Sequence, residues 1–130
     1  EEGTWTPTAA DATSGGNTGT TGTGTYTKTG NTVRVTAALP NVVTTGMTAG
    51  NVFYVQGFPF GTADIAGLTA FFLSGGVYTS AVTTASTVQS FLYDNGATAS
   101  AFQDTGGFIL VSDITSGAGD FYFTAIYQTA

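Results

Sequence analysis

The feature that most constrains the fold is the strict alternation of apolar and polar residues in the segment 32–39. The apolar positions are Val33, Val35, Ala37 and Leu39. A period of two is typical of a strand with one packed and one solvated face. Thr29-Gly30-Asn31 separates this run from an earlier extended run that contains Tyr26 and Lys28. Because Gly and Asn both tolerate positive φ, the segment 24–40 predicts a β-hairpin.

Composition extends this prediction to the whole chain. The 130 residues include 10 Phe, 6 Tyr, 19 Gly and many Thr, and no segment shows a helical period. Turn signals separate about eight candidate strands: residues 26–28, 32–39, 52–57, 68–73, 77–83, 87–93, 108–112 and 121–128. We expect one all-β domain over residues 1–130, an antiparallel β-sandwich or jelly roll. In this scheme residues 1–23 are an opening segment followed, over 9–23, by a flexible Gly/Thr-rich loop on the surface.

Charge excludes several classes of function. The chain carries two Lys and Arg residues against eight Asp and Glu residues, for a formal net charge of −6. A nucleic-acid partner needs clustered Lys and Arg, so none is expected, and no run is long enough for membrane insertion. Without His or Cys the usual general base and the commonest metal ligands are missing. We therefore expect no enzyme activity, no catalytic residue, no metal site and no cofactor.

The acidic residues offer two alternatives to a purely structural role. Four Asp residues lie between positions 94 and 120, mostly at predicted turns: Asp94, Asp104, Asp113 and Asp120. A glycosidase needs two carboxylates about 5–10 Å apart, and a Ca²⁺ site needs several converging oxygens. The interpretation that we prefer is turn capping, in which Asp accepts hydrogen bonds from nearby backbone amides.

Aromatic residues provide the better candidates for a binding site. Saccharide sites combine an aromatic platform with side chains that pair with hydroxyl groups. Tyr93-Asp94-Asn95 supplies an aromatic ring, a carboxylate and an amide, and Tyr78 lies in another strand close to a turn. These four residues are the predicted ligand-binding set. The alternative for Tyr93 is a cross-strand aromatic followed by an ordinary hairpin turn.

Three further residues leave alternatives open. Trp5 is interpreted as a cap on the core or on a subunit seam, with sugar stacking as the less favoured role. Lys28 and Arg34 are interpreted as solvated residues on the wet face of the hairpin, as partners of carboxylates, or as residues at a subunit interface.

Four motifs taken together resemble a known family. They are GTWTPT at residues 3–8, GTYTKTGNTVRVTAAL at residues 24–39, Gly57-Phe58-Pro59-Phe60, and the closing Ile126-Tyr127-Gln128-Thr129. This series resembles the C-terminal module of bacteriophage tail fibres and tailspikes. One departure is Gln128, where the family usually carries a basic residue after the Tyr, so a charge pairing at the C-terminus is not carried over.

The resemblance implies a β-sandwich that forms a homotrimer at the distal end of a virion fibre. It implies a bacteriophage structural protein on the virion surface, outside the cell, whose partners are other virion proteins and a host-surface glycan. The implied function is host attachment through carbohydrate binding. Two alternatives remain: a capsid or head-fibre decoration or trimerisation cap without its own ligand, and a polysaccharide-degrading tailspike domain.

Overall fold

The computed structural model describes residues 1–67, 70–72, 76–93 and 96–130, which form two antiparallel sheets packed as a sandwich. The strands in this part of the chain are β1 (Glu2–Trp5), β2 (Thr8–Ala10), β3 (Thr18–Thr21), β4 (Thr23–Thr29), β5 (Thr32–Val42), β6 (Tyr54–Gln56), β7 (Ala70–Phe72), β8 (Val77–Ser80), β9 (Gln89–Tyr93), β10 (Ala99–Asp104), β11 (Gly107–Phe108) and β12 (Gly119–Gln128). A short 3-10 helix, Val111–Asp113, precedes β12. No helix within the described ranges is long and apolar enough to cross a membrane.

The two sheets differ in the order of their strands. Sheet A has the order β1-β4-β5-β12-β8, and sheet B has the order β3-β2-β6-β10-β9-β7, with β11 paired to β10. The all-β antiparallel sandwich predicted from the sequence is therefore confirmed. The number of strands was predicted too low, because several strands of sheet B are only two to four residues long.

The predicted hairpin forms the centre of sheet A. Strands β4 and β5 pair in register from Thr29 opposite Thr32 to Thr23 opposite Ala38, and β12 lies along the other side of β5. Gly30 has φ +59° at the first position of the two-residue turn, a conformation that a side chain would make unfavourable. The inward residues of β5 are buried as the period of two predicts.

The core lies between the sheets and is built largely from aromatic rings. Phe53 lies 4.7 Å from Phe121 between ring centroids, and Phe102 lies 5.0 Å from Phe121. These three rings are fully buried, as are Val33, Val35, Leu39 and Val42 of β5. Each buried side chain of this size stabilises the fold by about 1.5–3 kcal/mol relative to exposure. The two long strands of sheet A, β5 and β12, thus provide the wall on which the short strands of sheet B pack.

The segment 9–23 is not the surface loop that its composition predicted. It contains β2 and β3, and Ala9 and Ala10 are fully buried. Asp11 is also buried, and its carboxylate accepts hydrogen bonds from Asn17 N (2.8 Å), Asn17 Nδ2 (2.9 Å) and Thr48 N (2.9 Å). These bonds lower the pKa of Asp11, with the Thr48 amide as the largest cause. The burial of Ala9 and Ala10 and the hydrogen bonds of the Asp11 carboxylate therefore give a defined structure to a segment whose composition is typical of a linker.

One further prediction about strands needs correction, and one segment that the sequence left open is now assigned. The local pattern of residues 97–101 is compatible with a strand, a loop or a helical turn, and the structure has β10 (Ala99–Asp104) there, between β6 and β9 in the middle of sheet B. Residues 108–112 were predicted as one strand, and the structure has β11 followed by the 3-10 helix instead. The ends of the predicted strand 68–73 lie outside the described residues.

Two of the places at which the chain passes from one sheet to the other are neighbouring corners. Thr6-Pro7 connects β1 of sheet A to β2 of sheet B, and Gly22 connects β3 of sheet B to β4 of sheet A. Gly22 N donates a hydrogen bond of 2.9 Å to the carbonyl oxygen of Pro7. A methyl group on Gly22 would collide with the carbonyl oxygen of Ala38. The glycine therefore permits a change of sheet within a single residue.

Candidate functional site: the outer face of sheet A

The outer face of sheet A is rich in hydroxyl groups. Because side chains alternate along a strand, the residues between the buried positions of β1, β4, β5 and β12 project outward. Eight of these outward residues are threonines: Thr4, Thr23, Thr25, Thr27, Thr29, Thr32, Thr36 and Thr124. The Thr25 and Thr36 hydroxyls are 2.6 Å apart and share a hydrogen bond. The face therefore offers many neutral donors and acceptors and few charges.

Tyr78 and Tyr122 form an exposed aromatic pair on this face. They lie directly opposite each other on β8 and β12, with ring centroids 5.8 Å apart and ring planes at 41°. The exposed fractions are 59% for Tyr78 and 37% for Tyr122. Two neighbouring rings that remain this accessible provide a platform for the C–H face of a ligand, and their hydroxyl groups provide hydrogen bonds at its rim.

Polar groups flank the tyrosine pair on the same side of the sheet. Asp120 precedes Tyr122 by two residues and lies opposite Ser80 on β8. The Oδ1 atom of Asp120 accepts a hydrogen bond of 2.9 Å from the backbone amide of Asn41, which fixes the carboxylate beside the platform. A carboxylate and a hydroxyl group next to aromatic rings are the combination that pairs with sugar hydroxyls.

A groove of about 580 Å³ lies where β1 ends beside β4. Its lining includes the outward residues Thr4, Thr23, Thr25, Thr36 and Ala38, and we call it the threonine groove. The backbone at Gly22 and Gly24 also lines it, and no charged residue does. The groove is therefore hydroxyl-rich and neutral, and Ala38 links it to the tyrosine pair, because Ala38 lies opposite Tyr122.

The structure places Tyr93 on the other side of the molecule. Tyr93 lies on β9 of sheet B, is 40% exposed, and contacts Phe91 edge-on at 4.9 Å between ring centroids. It lines a cavity of about 450 Å³ together with Thr13, Ser14 and Thr98. Burial, and to a lesser extent the neighbouring Tyr93, raise the pKa of Tyr54. Tyr93 thus borders a cavity that also contains the hydroxyl groups of Thr13, Ser14 and Thr98.

The predicted binding residues do not form one site. Tyr78 and Tyr93 are on the outer faces of opposite sheets, and Asp94 and Asn95 lie outside the described residues. Tyr122, the partner of Tyr78, was not in the predicted set. Its position in an alternating strand predicted an outward side chain, but only the pairing of β8 with β12 brings it beside Tyr78.

Trp5 belongs to the core, as the preferred interpretation expected. Its ring is 8% exposed and lies 4.8 Å from Phe58 between centroids. The indole Nε1 donates a hydrogen bond of 3.0 Å to the backbone oxygen of Thr36. Trp5 is thus mainly a core residue, and it also borders the threonine groove.

The two basic residues have different environments. Arg34 is exposed on the outer face of sheet A, in agreement with its predicted position on the wet face. Lys28 lies opposite the inward residue Val33, and its ammonium group lies 5.6 Å from the centroid of the Phe60 ring. Its Nζ donates a hydrogen bond of 2.8 Å to Gly30 O. Lys28 therefore covers the rim of the core, which corrects its predicted place on the wet face.

Of the four Asp residues between positions 94 and 120 that were predicted to accept backbone hydrogen bonds, Asp104, Asp113 and Asp120 do so, and Asp94 lies outside the described residues. Asp11 is a further backbone acceptor that was not predicted. Asp104 is an example, because Oδ2 accepts from Ala85 N at 2.6 Å and Oδ1 from Gly106 N at 2.8 Å. These hydrogen bonds lower the pKa of Asp104, and the bond from the Ala85 amide has the largest effect. Across the described ranges, no group of three or more acidic residues is placed to hold a metal ion.

The chain was compared with protein-family models, curated proteins and solved structures. No protein-family model, no curated protein and no solved structure matches the chain.

Proposed function

We propose that this chain is a bacteriophage fibre module that attaches the virion to a host-surface saccharide and acts as a homotrimer without catalysing a reaction. The observation that carries the proposal is the exposed Tyr78–Tyr122 pair on the hydroxyl-rich face of sheet A. The resemblance of the opening, hairpin and closing motifs to fibre modules supports the virion context.

The chemistry of the platform supports a saccharide as the ligand. A sugar ring presents C–H groups on its faces and hydroxyl groups at its rim, so it matches aromatic rings surrounded by hydrogen-bonding groups. The tyrosine rings would contact a sugar face, the Asp120 carboxylate would accept hydrogen bonds from the hydroxyl groups at its rim, and the Ser80 hydroxyl could donate or accept. Such a shallow site binds weakly, and three copies in a trimer would increase the avidity without any new contact.

The test is a glycan array probed with the wild-type chain and with the double variant Tyr78→Ala/Tyr122→Ala. We expect the wild type to bind at least one bacterial surface polysaccharide, and the double variant to bind it at least about tenfold more weakly, which corresponds to about 1.4 kcal/mol. Ile126→Ala is the matched control, because Ile126 is 38% exposed on the same strand and face as Tyr122. The control should bind as the wild type does.

The oligomeric state is measured in the same samples by light scattering. A homotrimer of the 13.1 kDa chain should scatter with about three times that mass. A species of only 13.1 kDa at micromolar concentration would contradict the trimer. A stable trimer that binds no glycan would instead support the structural alternative, a virion decoration or trimerisation cap. Release of reducing ends from a bound polysaccharide would contradict the absence of catalysis.

A further inference from the structure

We infer that the tyrosine pair and the threonine groove are the two ends of one track for a linear, uncharged polysaccharide that crosses sheet A at right angles to its strands. The inference rests on the proposed function and adds the shape and the charge class of the ligand. Three observations support it: the strand register that aligns the two features, the small side chain of Ala38 between them, and the absence of charged residues between the tyrosine pair and the groove.

The register aligns the two features in one row across the sheet. Tyr78 lies opposite Tyr122, Tyr122 opposite Ala38, and Ala38 opposite Thr23. Neighbouring strands are about 4.8 Å apart, so the row from Tyr78 to Thr23 extends over roughly 14 Å. The threonine groove begins at Thr23 and continues to Thr4 on the edge strand β1. A single extended ligand can therefore contact both features.

Ala38 makes this row continuous. It is the smallest side chain in the row and stands between the tyrosine pair and the groove, contributing to the groove lining itself. A ligand in contact with the rings continues over Ala38 without having to bend around a larger side chain. The hydroxyl groups of Thr23, Thr25 and Thr36 then follow along the groove as hydrogen-bond partners for further sugar units.

The charge pattern selects the class of polysaccharide. No residue of the row or of the groove lining is charged. The nearest carboxylate described above, Asp120, is on the same face beside Tyr122, and the chain has a net charge of −6. Arg34 is exposed on the same face but lies outside both the row and the groove lining. An anionic polysaccharide would be repelled by the net negative charge and would find no cation in the row to pair with. An uncharged polysaccharide has no such penalty.

The experiment places a bulky side chain in the middle of the row and measures how the affinity for oligosaccharides of different lengths changes. The variant is Ala38→Trp, and its control is Thr27→Trp, on the same face but opposite Arg34 and outside the row. Tryptophan suits an exposed strand position, so both variants should fold, and a melting curve checks this. The probes are neutral glucan, galactan and mannan oligosaccharides of increasing length, and the best binder is titrated by calorimetry.

We expect wild-type affinity to rise with the length of the oligosaccharide until the row is filled. Ala38→Trp should weaken the binding of long oligosaccharides at least about tenfold, the loss of about 1.4 kcal/mol expected when one or two hydrogen bonds are broken. Because Ala38 lies directly opposite Tyr122, monosaccharide binding is compared on Thr23→Trp, which lies one strand further from the tyrosine pair and should leave monosaccharide binding unaffected. Thr27→Trp should stay within about twofold of wild type. If Ala38→Trp does not fold, Thr23→Trp obstructs the same row from an exposed position on β4.

The failure of this inference differs from the failure of the proposed function. Long oligosaccharides that bind Ala38→Trp and wild type equally, or no gain of affinity with length, would overturn the track and leave the tyrosine site intact. Tighter binding of uronic-acid or sulfated polysaccharides than of neutral ones would overturn the charge class. A wild-type chain that binds none of the probes and nothing on the glycan array would overturn both proposals.

Discussion

Replacing Gly24 with alanine tests how closely the Trp5 indole is held against the hairpin. A Cβ atom on Gly24 would lie 2.6 Å from Trp5 Cε2 and 2.7 Å from Thr36 O. The first atom belongs to a buried ring and the second is the acceptor of the indole hydrogen bond. Neither can be displaced by a side-chain rotation alone, so the ring or the backbone must shift.

The expected cost follows from these contacts. Loss of the indole hydrogen bond costs about 1 kcal/mol, and crowding in a packed core costs about 1–3 kcal/mol. Alanine regains about 0.5–1 kcal/mol, because glycine in a strand is entropically unfavourable. The net decrease in the free energy of unfolding is about 1–3.5 kcal/mol. For a domain of this length one kcal/mol corresponds to roughly 4 °C, so the melting temperature should fall by about 4–14 °C.

The assay is thermal unfolding followed by tryptophan fluorescence, since the chain has one Trp and the signal therefore comes from Trp5 alone. Native emission should also shift to the red, as water reaches a ring that is 8% exposed in the wild type. The matched control is Gly50→Ala, because Gly50 is exposed and a Cβ there has no neighbour within 4 Å. The control should change stability by less than about 0.5 kcal/mol. If Gly24→Ala melts within 2 °C of the control (about 0.5 kcal/mol), the proposed close packing is refuted.

The pH dependence of stability yields two further predictions. Hydrogen bonds from Thr48 and Asn17 lower the pKa of Asp11, so its stabilisation is present above about pH 4 and is lost as the pH falls through the lowered value. Asp11→Asn should cost about 2 kcal/mol at neutral pH and reduce the loss of stability in acid, measured by urea unfolding. Burial raises the pKa of Tyr127 to about 12, although its bond to Phe60 O opposes this shift. Tyr127 therefore adds no pH dependence below about pH 10, and stability should fall between pH 10 and pH 12. Tyr127→Phe should reduce this alkaline loss, and the remainder should come from Tyr26 and Tyr54, whose pKa values are also raised; an unchanged loss would contradict the assignment.

The sequence predicted the parts of the fold that depend on local pattern. The central hairpin was predictable because the period of two and the Gly30-Asn31 turn lie within one short segment. The same holds for β12, whose inward residues alternate as expected. Asp residues at turns were predicted to accept backbone hydrogen bonds, and Asp104 does so across its own turn.

The sequence did not predict features that depend on packing between distant segments. Strands β2 and β3 have the composition of a linker, and their order comes from burial of Ala10 and from the bond between Asp11 and Thr48. The partnership of Tyr78 with Tyr122 depends on the register between two strands far apart in sequence. An alternating pattern indicates which face a tyrosine occupies, but it does not indicate which residue is its neighbour.

Hydrogen bonds at the turn of the central hairpin have a consequence for tethering. Lys28 N donates to Glu1 O at 2.7 Å, and Thr129 N donates to Asn31 O at 2.8 Å. Glu1 and Thr129 are thus both held at one pole of the sandwich. Strand β12 starts at the other pole, and Tyr122 lies in its first half. A polypeptide or surface linked to either terminus would hold the module by the hairpin pole, so the tyrosine pair would lie towards the free pole, where a large ligand meets it first.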